Sequence, residues 1–137
     1  MRVFNRTHGR TLIERAVVAR TAEERRRGLI GWASLAQGEG LLLPGTKTIH
    51  TFGMRFSIDV AFLDSDGRVI HLMERLKPSR VSPMVWRSAM VVEMPSGVLA
   101  KTGTALADRI ELIDGDEGSM PQVDTLDVGC RPSEMAA

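Results

Sequence analysis

Between positions 49 and 64 the chain reads IHTFGMRFSIDVAFLD, a near-regular alternation interrupted by Arg55 and Asp59. The turn DSDG follows at 64–67, and RVIHLMERLK then runs from Arg68 to Lys77. Asp at the first position and Gly at the fourth suit a type I turn that closes a three-residue hairpin loop, with the Gly in the left-handed region. Setting Asp64 opposite Arg68 pairs Phe62 with Ile70, Val60 with Leu72, Ile58 with Glu74 and Phe56 with Leu76 on an apolar face. The other face then pairs Leu63 with Val69, Ala61 with His71, Asp59 with Met73, Ser57 with Arg75 and Arg55 with Lys77. On that face Arg75 lies diagonal to Asp59, roughly 7–8 Å away, whereas Arg55 is about 13 Å along the strand from Asp59. Two chemistries fit the constellation Arg55, Asp59, His71 and Arg75. The first is charge-assisted binding of an anionic small molecule or an acidic protein segment. The second is acid–base, hydrolase-like catalysis with His71 oriented by Asp59. No nucleophile with a local signature accompanies the pair, so binding is the primary expectation and catalysis the alternative. A solvated face braced by an Asp59–Arg75 bridge is the plainest account of the same residues.

His50, Met54, His71 and Met73, in a chain of eight methionines, raise a soft-metal reading, Cu(I) being the ion that thioethers select. In the register above, His50 and Met54 turn to the core while His71 and Met73 turn away, so neither a metal nor a cofactor is expected. The single Cys130 cannot form an internal disulfide, and no cluster has zinc-ligand spacing. GLIGWASLAQGEG lacks the Lys-Ser/Thr ending of a phosphate loop. Trp32 is expected as a core anchor. Trp86, between Met84 and Arg87, is expected on a contact surface with Lys77.

The elements that must hold these residues are short. TLIERAVVA at 11–19 reads as a strand, and Thr21 with Glu24 three residues on forms a capping-box pattern opening a short helix that Gly28 ends. GLLLP, SAMVVEM and DRIELI read as further strands, with at most one helical turn in VLAKT. Short strands separated by turns predict a mainly β fold, a small antiparallel sandwich or barrel, with a short helix after the first strand. At 137 residues and 43% hydrophobic the chain suits one domain. Residues 1–113 carry 17 Lys/Arg against 11 Asp/Glu, and 114–137 carry one against six. A basic domain over 1–113 is therefore expected to bear an acidic, flexible tail from Asp114, which could fold back over the basic face. Four Phe, two Trp and no Tyr offer few platforms for base stacking, so a nucleic-acid partner is not expected. No apolar run is long enough for a signal peptide or a membrane span, and the expectation is a cytoplasmic protein.

Several blocks, in order, resemble the bacterial and archaeal family catalogued as domain of unknown function 192. They are Thr21, Glu24, Arg25, Gly28, Leu29 and Ile30; then Phe52, Met54, Arg55, Ile58 and Asp59; then Phe62 to Val69; then Val92, Glu93, Pro95 and Gly97; and last Ala107-Asp108 before the final strand. Ile30 stands where the family usually has Met, Ser57 where Pro is frequent, and Ala107 where Gly is found. The resemblance implies a compact, mostly β domain with a short helix after the first strand, and no established activity.

Overall fold

The computed structural model describes residues 1–114. Eight strands form two sheets. β1 (Arg2–Asn5), β2 (Arg10–Ile13) and β8 (Ile110–Ile113) make a three-stranded sheet in the order β2-β1-β8. β3 (Arg15–Val18), β4 (Glu39–Pro44), β5 (Ile58–Leu63), β6 (Val69–Leu76) and β7 (Met90–Pro95) make a five-stranded sheet in the order β3-β4-β7-β5-β6. Two short helices, α1 (Ala22–Arg27) and α2 (Val98–Thr102), complete the elements. The architecture is mainly β with two packed sheets, and β3 runs parallel to β4 while the other pairs are antiparallel. The expected strand over 11–19 is two strands broken at Glu14, so its halves belong to different sheets.

The larger sheet is covered on both faces. Leu42, Ala61, Leu63, Val92 and Met94 meet Val3, Leu12 and Ile13 of the smaller sheet and Val98 and Leu99 of α2. Leu41, Leu43, Ile58, Val60, Phe62 and Val91 are covered by Leu29, Trp32, Ile49 and Met54 from irregular segments. Burial on two sides explains why IDVAFL, with its Asp, is buried at every position. Trp32 is the core anchor the sequence suggested, and Met54 fills the same core. His50 is exposed, contrary to the alternation: the strand begins only at Ile58, so residues 49–57 do not follow strand periodicity.

The turn chemistry holds. The Asp64 amide donates to the Arg68 carbonyl, Asp64 Oδ1 accepts from the amides of Asp66 and Arg68 (both 2.9 Å), and Gly67 sits at φ 84°. The α1 capping box is present in both directions between Thr21 and Glu24. The β5–β6 register agrees with expectation at Leu63 opposite Val69 and then departs from it. Phe62 faces His71, Val60 faces Met73 and Ile58 faces Leu76, because β6 carries extra residues at two irregularities.

Candidate binding cleft

The second irregularity answers for Asp59. Glu74 and Arg75 together span the interval opposite Asp59, and Arg75 takes a left-handed φ of 50°. The Arg75 amide donates to Asp59 Oδ1 and the Leu99 amide, in the first turn of α2, donates to Oδ2, each at 2.8 Å. Asp59 is fully buried among the side chains between the sheets. Its carboxyl thus bonds the backbone of Arg75 instead of the guanidinium, and it binds the bulge to the helix. The sequence pairing of Asp59 with His71 fails for a related reason. One extra residue ahead of His71 puts the imidazole against Phe62, ring centroids 5.4 Å apart, on the face opposite Asp59. His71 and Asp59 are not neighbours.

The structure brings His71, Arg75 and Lys77 together in an open cleft of about 610 Å³ along β6, with Arg80 added. β6 is an edge strand, and Leu72, Met73 and Leu76 line the cleft with Pro83. One acid, Glu74, shares the lining. Arg55 and Trp86 are exposed outside it. Among the described residues, the ion pairs are Arg6 with Glu111 and His8 with Asp108, and Arg75, Lys77 and Arg80 form none. The sequence reading missed Arg80. The residue that places it is Thr51, fully buried, whose amide donates to the Arg80 carbonyl and whose hydroxyl donates to the Lys77 carbonyl (2.6 Å) while accepting from the Arg80 amide (2.8 Å). A buried threonine inside a polar–apolar alternation was the available signal, and it reads in sequence as one more polar position.

Two other polar clusters stand apart from the cleft. Glu39 and Glu93 are both buried on the same face of the larger sheet, in diagonal positions on β4 and β7. Glu39 Oε1 accepts from the Ala36 amide (2.9 Å), while Glu39 Oε2 and Glu93 Oε1 have no hydrogen-bond partner among the described residues. Burial pushes the Glu93 carboxyl up to about 8. Glu93 belongs to one family-like block and Gly28 to another, and a Cβ at Gly28 would lie 3.8 Å from Glu93 Oε1. In the second cluster, Asp108 Oδ2 accepts from Asn5 Nδ2 (3.0 Å) and the Ala105 amide (2.8 Å), and lies 3.1 Å from His8 Nε2. Burial tends to raise the Asp108 carboxyl, but these bonds and the imidazole outweigh it and hold the group below its ordinary value. The cluster ties the first hairpin to the segment entering β8. No group of three or more His, Cys, Asp or Glu side chains positioned for a metal ion occurs among the described residues.

Two packed sheets with an open cationic cleft on an edge strand define a small β domain. Residues 3–112 match the model of the family described as Uncharacterized ACR, domain of unknown function 192. The chain belongs to that family. A UPF0127 protein of Thermococcus sibiricus is 31% identical over 113 residues, covering 80% of this chain and 73% of the relative. Among solved structures, a protein of unknown function from Novosphingobium aromaticivorans aligns with a TM-score of 0.73 at 24% identity, covering 82% of this chain and 84% of that one. A candidate transcription regulator from Sinorhizobium meliloti aligns with a TM-score of 0.66 at 23% identity, covering 80% and 89%. At these identities the two structures speak to the fold alone.

Proposed function

We propose that the chain is a binding module whose β6 cleft takes an acidic protein segment in extended form. The observation that carries this reading is that Arg75, Lys77 and Arg80, unpaired with acids among the described residues, line one open cleft on an edge strand together with Met73, Leu76 and Pro83. An edge strand offers its outer backbone groups to an added strand, and side-chain pockets then choose the sequence. Charges on an edge also guard against self-pairing, but guarding requires no apolar lining, and here Met73, Leu76 and Pro83 supply one. Carboxylates of the added segment would meet the cations, and its alternate apolar residues would meet that lining. The acid–base alternative needs Asp59 beside His71, and the two lie on opposite faces of the sheet.

Amide NMR with a soluble peptide alternating Glu and Val tests this. The expected shifts fall on Ile70 to Arg80. Replacing Arg75, Lys77 and Arg80 together by Gln should weaken binding about 10-fold or more, in line with exposed charge pairs of some fraction of a kcal/mol each. Equal binding by the triple variant, or shifts centred elsewhere, would overturn the reading.

A further inference from the structure

The segments 46–57 and 77–90 lie side by side as an irregular ribbon. The Val85 amide donates to the Lys47 carbonyl, the Ser82 amide to the Ile49 carbonyl and the Thr51 amide to the Arg80 carbonyl, and His50 bridges Val81. Ile49, Thr51 and Ser82 face inward and are buried. Their neighbours face out. Phe52, Val81, Met84 and Trp86 are 51%, 60%, 45% and 73% exposed, and they are four of the six exposed large hydrophobic residues among those described. The same two segments contain Lys47, Arg55, Lys77, Arg80 and Arg87, all exposed, and no Asp or Glu. Lys47 Nζ donates to the Ser88 carbonyl, and Asp64 is held below its ordinary value chiefly by the Arg68 amide, with a smaller contribution from the Arg87 charge. None of the five cations forms an ion pair within the described residues.

We infer that this ribbon is a reversible docking surface for an anionic lipid bilayer. Large apolar side chains projecting from two adjoining segments that carry five cations and no acid of their own fit the boundary between headgroups and acyl chains. There, apolar burial adds to attraction by anionic headgroups. Trp86 combines an apolar body with a polar N–H, which suits that boundary. Val81 and Met84 separate this reading from a nucleic-acid one. Bases stack on aromatic faces and gain little from aliphatic side chains, whereas a bilayer takes both. The surface shares Lys77 and Arg80 with the cleft, but the inference rests on the projecting Phe52, Val81, Met84 and Trp86, which do not line it.

The test is flotation of the full chain with vesicles of phosphatidylcholine alone or with phosphatidylserine, following tryptophan emission. Binding should require phosphatidylserine and fall as salt rises. Trp86→Ser with Val81→Ser should lower partition at least about 10-fold, and Arg55→Gln with Arg87→Gln, both outside the cleft, about 5-fold per charge. Because Trp32 is buried, a blue shift on binding should vanish in Trp86→Phe while partition persists. No partition, equal partition on phosphatidylcholine alone, or bound protein whose emission does not shift would each overturn the inference. Binding of oligoglutamate or of single-stranded oligothymidylate without vesicle partition would overturn it as well.

Discussion

Asp59 shows how a charged residue can belong to a core without joining a site. Its two oxygens take one backbone N–H each, from a bulge and from a helix start, at full burial. Removing them leaves both donors unsatisfied in the interior, where each costs roughly 1–3 kcal/mol. Asp59→Ala should therefore lose about 3 kcal/mol or more in urea unfolding, and at temperatures where it stays folded it should still bind the acidic peptide. Glu93 behaves in the opposite sense. With its folded value near 8 against 4.5 for the free side chain, the folded state holds the proton more tightly than the unfolded chain. Stability should fall as pH rises from about 4.5 to 8 and level off above, by up to a few kcal/mol. Glu93→Gln carries no proton to lose. Its unfolding free energy should be nearly flat over that window and exceed wild type at pH 9, measured by denaturation at a series of pH values. A wild-type curve without that decline would show that Glu93 ionises without cost.

At the scale of elements, backbone conformation bears on one sequence departure. Ala107 has φ 75°, a left-handed geometry that favours Gly. Its amide donates to the Val69 carbonyl, which fixes the turn into β8 against β6. Ala107→Gly should raise stability by about 1 kcal/mol or less, because relief of the strain exceeds the added chain entropy; a lower melting temperature would contradict this. Gly67 is doubly required, since a Cβ there would come 2.7 Å from the Ile110 carbonyl oxygen besides the positive φ. The hairpin turn was legible because DSDG stores its geometry in adjacent residues. The irregularities in β6 were not. Each depends on what lies across the strand, and one is held by Asp59 reaching to Arg75, sixteen residues away.

Across the whole molecule, packing of the two sheets sets the tightest tolerances. Gly40 lies where a Cβ would collide with Ile13 Cδ1 and come within 2.8 Å of the Glu93 carbonyl oxygen. Gly40→Ala should cost about 2 kcal/mol or more by forcing β2 and β7 apart, read as a lower denaturation midpoint. No helix among the described residues is long and apolar enough to cross a membrane. The acidic tail expected from Asp114 onward lies, from position 115, outside the described residues.

What the amino-acid order determined by itself was local: the α1 cap, the turn at 64–67, the apolar runs that became strands, a mainly β class and the family blocks. These depend on neighbours within a few residues, where propensity and hydrogen-bond reach operate. Tertiary structure alone decided which residues met. One added residue in an edge strand carried His71 to the face opposite Asp59, and a buried Thr51 brought Arg80 beside Arg75 and Lys77. Side-chain direction in a strand reverses with every residue, so a single irregularity, invisible in composition or alternation, rewrites the site while leaving the fold intact.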